Sequence, residues 1–414
     1  MTANATTWDP ALKQLYRDQL VHKSTYTDRP FLAMASKFEG FTGKNMPMIE
    51  VYGNPQGRSA TFSEAQGNST SSKIEDFLLD VVSNYSVAFV TGDVIDRTRS
   101  DKGAFLKALK SSIDNAMDSL ADDLETSIPR SGTGSIGQVS SGSTVSATTI
   151  TLEEINDVSN FEVGMTLRGT STDGGAYDVG EEVLAGVNRS TGVLTCTSAA
   201  WNTVMTDLAA SDYLVVSGDA QNGTSNAKIK MTGLDEWLPD STPSTTLWGV
   251  TRSTDSRLYG TYHDGSAQTM EDALIDAQSK SAQQEGSPNL GIINHVKMRR
   301  LIKELGASKE YTTVNAVGPK GLVASVGFRG VFLQGDKTVI RMVAANKCPS
   351  ARGYLLEQEN YSVYSIGKAT KFLEDDGNRI LRQSSADGVE VRLVSRSNVS
   401  LKNPIGSVRV KLPS

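Results

Sequence analysis

The sequence predicts an α+β fold rich in short strands, and three observations carry that expectation. One stretch, 101–128, keeps a single apolar face at helical spacing throughout. The runs before and after it alternate with the period of a β-strand. The composition, with 37 Gly, 38% hydrophobic and 21% charged residues, favours turns and strands over a helical bundle. At 414 residues the chain is long enough for two or three domains of about 150 residues each. Its 41 basic and 47 acidic side chains leave a net charge of −6. That balance excludes a generic basic binder of nucleic acid or membrane, which needs clustered Lys and Arg. Cys196 and Cys348 are too few for a disulfide framework and show no zinc spacing, so a reducing compartment is expected. Neither a signal-peptide pattern nor an apolar stretch of membrane-spanning length is present, and a soluble chain is expected.

In chain order, Asp9 before Pro10 supplies a helix start, and Leu12, Leu15, Tyr16 and Val21 continue it as a short amphipathic arm. From about residue 38 to 96 the period is two. Met46, Met48 and Glu50 alternate with Ile49 and Val51. Gly53, Pro55 and Gly57 then punctuate the chain before a second extended run at 59–63, which predicts a long β-hairpin with a polar tip. Residues 85–91 read as the strand returning to a core. The helix of 101–128 follows, with Leu106, Leu109, Ile113, Met117, Leu120 and Leu124 on one face, Lys107, Lys110, Asp114, Asp118 and Asp122 opposite, and Pro129 as its stop.

Between 131 and 227 the chain has no lysine, and two arginines, Arg168 and Arg189, face eleven carboxylates, a local net of −9. Short β-branched patches at 149–152, 161–165 and 192–196, with Trp201 and Tyr213, predict a small acidic all-β module set into a different host; the competing reading is a disordered acidic linker. Thr269 with Asp272 opens a further helix. A buried strand at 288–293 leads into a helix capped by Asn294 and stopped at Gly306. Strands recur at 331–334, 339–343, 353–356, 361–364, 389–393 and 407–412, with a hairpin turn at 374–378.

Catalytic signatures are missing. The string 132–137 matches GxGxxG, but a dinucleotide loop needs a strand before it and a helix after it, and neither is predicted there. Only His22, His263 and His295 could serve as imidazole bases, and His295 in the first turn of a predicted helix and His263 beside a turn are expected to be structural or solvated. The acid pairs Glu153 with Glu154, Glu181 with Glu182 and Asp375 with Asp376 fall in predicted turns or loops, where solvated surface is expected. No cofactor and no metal site are predicted, and no enzymatic activity.

Taken in order, an arm, an extended hairpin, one very long helix, a strand-helix domain and a final sheet resemble the major capsid proteins of tailed bacteriophages, the Hong-Kong-ninety-seven-type fold. The resemblance spans nearly the whole chain. It implies an arm at 1–37, an extended loop with its return strand at 38–96, and a spine helix at 97–130. It implies further an inserted β domain at 131–227, an axial domain at 228–360 and a peripheral C-terminal sheet at 361–414. It implies self-assembly into pentamers and hexamers of an icosahedral virion shell around double-stranded DNA, built in the host cytoplasm and later expanded. Met46, Ile49, Val51, Tyr52, Arg58 and Phe62 would then contact a neighbouring copy, and Leu12, Leu15 and Tyr16 a scaffolding protein or a neighbour. Portal and decoration proteins are implied as further partners. In the prototype of the family a loop lysine crosslinks the shell; Lys44 sits near the hairpin base here, with no crosslinking partner identified. The rival expectations are an encapsulin-type nanocompartment shell and a β-rich surface adhesin or carbohydrate-binding protein.

Overall fold

The computed structural model describes residues 29–97, 102–219, 228–305, 316–318, 321–323, 331–373, 381–383 and 387–413. The arm with Leu12, Leu15 and Tyr16, the Gly306 stop and the turn at 374–378 lie outside these residues, as do the side chains of Leu106 and Leu109. The chain divides into two units, one of Met1–Met46, Leu79–Gly233 and Ser362–Ser400, the other of Pro47–Leu78, Leu234–Tyr361 and Leu401–Ser414.

The first unit is organised by the strand Gly388–Leu401, which pairs antiparallel with Val82–Thr91 from Gly388 opposite Thr91 to Ser397 opposite Val82. Ser36–Phe38 runs parallel to Tyr361–Ser365 at the other side of the same six-stranded sheet. On this sheet packs the helix Lys102–Ser127, 26 residues and therefore about 39 Å long at 1.5 Å per residue. Its apolar stripe meets the sheet as the spacing requires. Ala116 and Leu120 bury against Ala88, Val90, Val391 and Leu393, with Ile113 and Met117 half-buried beside them. Leu124 and Ile128 are buried further along. The helix ends where Pro129 removes a donor, and Arg130 N–H closes the last turn on Ser127 O at 3.1 Å.

The acidic stretch folds as a closed antiparallel barrel. Six strands run in the order Ser135–Gln138, Tyr213–Val216, Thr166–Thr170, Glu182–Asn188, Val193–Cys196 and Thr149–Thr151. A bridge from Val139 to Leu152, flanked by Ser140 N–H on Thr151 O at 2.8 Å, joins the last strand back to the first. Closure leaves the barrel no free edge. Its interior is apolar, with Val139, Leu152, Leu167, Leu194, Trp201 and Leu214 buried together. The sequence patches locate the outer pair, Thr149–Thr151 and Val193–Cys196. The apolar patch at 161–165 precedes its strand instead of forming it, because Phe161 plugs the barrel from a loop.

The GxGxxG string forms the neck of this barrel. It opens no helix, since Ser135–Gln138 is a strand. Gly132 and Gly134 adopt φ of 86° and 90°. A Cβ at Gly134 would fall 2.1 Å from the Asp219 carbonyl oxygen, and one at Gly132 would fall 3.1 Å from that of Lys230. Glycine is needed where the outgoing and returning chains cross. Lys230 ties the neck to the long helix through Asp123 at 2.8 Å and to the barrel through Asp219 at 2.9 Å.

The second unit holds a mixed sheet in the order Thr261–Asp264, Val408–Lys411, Arg352–Leu356, Leu290–Ile293, Val339–Ala344 and Val331–Gln334. Two helices cover one face. Met270–Ala282 is capped by the Thr269 hydroxyl on Asp272 N–H at 3.1 Å, and His295–Glu304 by Asn294 on Val296 N–H at 3.0 Å, both as the sequence predicts. Their apolar faces and the sheet enclose one core that includes Leu274, Ala277, Leu301, Ile340, Leu355 and Val410.

Candidate subunit interface

Residues 47–78 form a finger within the second unit. Its strands are Met46–Gly53 and Lys73–Leu79, which among the described residues pair only with each other. The extended run expected at 59–63 is corrected by the structure. Phe62–Gly67 is a short helix at the tip, and the returning strand begins only at Lys73.

Strand alternation gives the finger two faces. The inner face is docked on its own unit. Phe77 is fully buried, with its ring 5.3 Å from that of Trp237, which in turn lies 5.1 Å from Trp248. Met48 is buried as well. Polar contacts fix the register of docking. Leu78 N–H donates to Trp248 O at 3.2 Å, Asn403 N–H to Glu50 Oε1 at 3.0 Å, and the Arg257 guanidinium to the Tyr52 carbonyl oxygen. Burial pushes the Glu50 carboxyl above its ordinary range, against the pull of Asn403 N–H and of Lys402. Replacing Phe77 with Ala removes the ring that anchors the finger. The expected cost is about 3–5 kcal/mol, read as a lower urea midpoint with an unchanged slope.

The outer face is apolar and open. Ile49 is 63% and Val51 58% exposed, and Ile74 and Leu78 stand exposed on the returning strand. At the tip Phe62 is 83% exposed, and Arg58 is exposed as well. Among the residues expected at an interface, Ile49, Val51, Arg58 and Phe62 therefore face outward, whereas Met46 and Tyr52 are half-buried. Ile74 and Leu78 were missed because Lys73–Leu79 is apolar on both faces and shows no clean alternation. Gly53 lets the strands close together, since a Cβ there would lie 2.8 Å from Lys73 Cβ. Lys44, near the base, is exposed.

A cavity of about 230 Å³ between the finger and the loop at 255–257 is lined by Tyr52, Asn54, Gln56, Thr70, Lys73 and Arg257 among others. The carboxylate in that lining, Asp255, accepts the Arg257 N–H at 2.9 Å and pairs with the Arg257 guanidinium at 3.6 Å. His263 bonds Gln268 at 2.9 Å, and His295 is exposed in the first turn of its helix. Glu181 pairs with Arg168, and Glu182 accepts the N–H groups of Thr197 and Ser198 at 3.0 and 3.1 Å. Both cysteines are buried and neither forms a disulfide. Among the described residues no group of His, Cys, Asp or Glu is placed to hold a metal, and no helix is long and apolar enough to cross a membrane.

No family model and no curated protein matches the chain. Solved structures do. A chain of the cyanophage A-1(L) capsid asymmetric unit superposes with a TM-score of 0.54 at 11% identity, over 97% of this chain and 95% of that one. A chain of the capsid of the native GTA particle gives 0.47 at 10% identity, over 97% and 95%. A chain of the holo-SrpI encapsulin complex from Synechococcus elongatus gives 0.46 at 8%, over 99% and 95%. At such identity the first likeness is one of fold, and across nearly its whole length this chain shares the fold of that chain of the cyanophage A-1(L) capsid asymmetric unit.

Proposed function

We propose that the chain is the major capsid protein of a tailed bacteriophage, a structural subunit that assembles with copies of itself into a closed shell around double-stranded DNA. One observation carries the reading beyond the fold: a finger anchored on its own unit at one face presents Ile49, Val51, Ile74 and Leu78 to solvent on the other. Apolar surface of that kind marks a protein partner, and in a shell the partner is another copy. The contact is heterologous, finger on a different surface of the neighbour, so it closes into rings by rotation.

In this reading the helix Lys102–Ser127 is the spine, the barrel is an inserted domain, and the sheet of the second unit belongs to the axial domain. The peripheral sheet is the one built on Gly388–Leu401. Each subunit is held on several sides at once, so modest contacts sum to a stable shell while single associations stay reversible during assembly. The net charge of −6 keeps the wall from adhering to packed polyanion. Scaffolding, portal and decoration proteins are the further partners, and the arm with Leu12, Leu15 and Tyr16 is the contact for a scaffold or a neighbour.

Electron microscopy of the purified chain tests the reading. Shells, tubes or rings of five and six subunits are the expected result. A monodisperse monomer at high concentration that binds glycans would overturn it in favour of an adhesin, and particles filled with protein cargo in place of DNA would favour a nanocompartment.

A further inference from the structure

Where the chain emerges from its first 28 residues, a short helix, Pro30–Met34, lies on the long helix. Glu125 of the long helix is only 1% exposed, and both its carboxyl oxygens are committed. Oε1 accepts Phe31 N–H at 2.9 Å and Oε2 accepts Leu32 N–H at 2.9 Å. These are donors of the first turn of the short helix, which its own backbone leaves unpaired. Arg29 flanks the site and pairs with Asp118 at 3.3 Å and Asp122 at 2.9 Å. The short helix, Pro-Phe-Leu-Ala-Met, brings no ionisable side chain of its own. Among the described residues the charges that bear on Glu125 are therefore Arg29 from the docked segment and Asp122 from its own helix.

We propose that Glu125 is a proton-linked clamp on residues 29–35, closing on that segment with uptake of a proton. Burial sets the direction, since Glu125 is 1% exposed in the docked state. Docking carries a carboxyl group from the wet surface of a helix into a dry site, where two backbone N–H groups and one guanidinium compensate only part of its lost hydration. Burial pushes the docked group up to about 7 from 4.5, and lifting the segment returns it to water and to its ordinary range. A group whose pKa is higher in the closed state makes closing more favourable as pH falls through that window. The span from 4.5 to about 7 corresponds to a change of about 300-fold in the closing equilibrium, with no dependence above or well below it. The protonated group keeps its carbonyl oxygen as an acceptor for one N–H, and in the closed state Arg29 pairs with Asp118 and Asp122 whether or not Glu125 carries the proton. The segment is thus held firmly near pH 5 and loosened near pH 8. This inference stands on the clamp alone and does not depend on the shell reading.

Hydrogen–deuterium exchange of the full-length protein, followed by mass spectrometry and corrected for the chemical exchange rate at each pH, tests it. Protection of the peptide covering 29–35 is expected to fall by about 50-fold from pH 5 to pH 7.5 and then to level off. Peptides from 111–124 are expected to keep constant protection over the same range, which separates the clamp from a change in global stability. In Glu125→Gln the slope at 29–35 disappears, whatever the level of protection. Flat protection in the unmodified protein, or an undiminished slope in the Gln variant, would overturn the proposal.

Discussion

Ile49→Asp combined with Val51→Asp is expected to give a folded subunit that builds no shells. Both side chains sit on the outer row of the finger, more than half exposed, and neither belongs to a buried cluster. Within one subunit the double change costs about 1–2 kcal/mol, set by the lower strand preference of Asp, because no buried contact is lost. Across a finger-to-neighbour contact the outcome differs. Each new carboxylate loses its water on association without finding a cation, at several kcal/mol per buried charge. The defect recurs in every subunit, and an assembly held by many modest contacts fails as a whole when one class of contact turns repulsive. Circular dichroism and thermal unfolding should match the parent closely, while sedimentation and electron microscopy should show only small species. The inner-face control Met48→Asp is expected to fail earlier, at folding, because Met48 is buried. Normal shells from the outer-row variant would remove the finger from the assembly interface.

The contrast between these two faces was only partly legible in the sequence. Met46–Gly53 announces itself because Met48 and Ile49 begin an alternation that a single strand can satisfy. Lys73–Leu79 does not, since Phe77 packs on Trp237, more than 150 residues away in the chain, while Leu78 faces water; no local pattern encodes that distant ring. The extended run read at 59–63 contains Thr61 and Phe62, whose strand preference is overridden at the tip by a helical turn with no buried residue to enforce either conformation. The long helix was legible nearly to the residue because one physical cause, an apolar stripe ended by proline, fixes both its face and its end. In the barrel, Glu182–Asn188 and Tyr213–Val216 escaped notice because strands of four to seven residues gain their identity from closure, which is a property of six strands together. Glu125 carries no local signal in the sequence. Its role depends on Phe31 and Leu32 arriving from 94 and 93 residues away.

Leu120→Asp is expected to abolish folding of the first unit, the other large effect. Leu120 is 2% exposed and sits between the long helix and the sheet, against a cluster that includes Ala88, Val90, Val391 and Leu393. The loss has two parts. Removing the isobutyl group from a filled site costs about 2–5 kcal/mol, as for a Leu→Ala change. Leaving an aspartate there adds several kcal/mol more, whether the group stays ionised without a partner or takes up a proton and buries an unsatisfied hydroxyl. The sum reaches the whole net stability of an ordinary domain, about 5–15 kcal/mol. Leu120→Ala should by contrast remain folded with a lowered denaturation midpoint. The pair is informative because Asp114, on the same helix, is already a carboxylate that the fold tolerates where it is only half-buried. Expression of Leu120→Asp as a cooperatively unfolding protein with native near-ultraviolet circular dichroism would show that this stripe is not what holds the helix to the sheet.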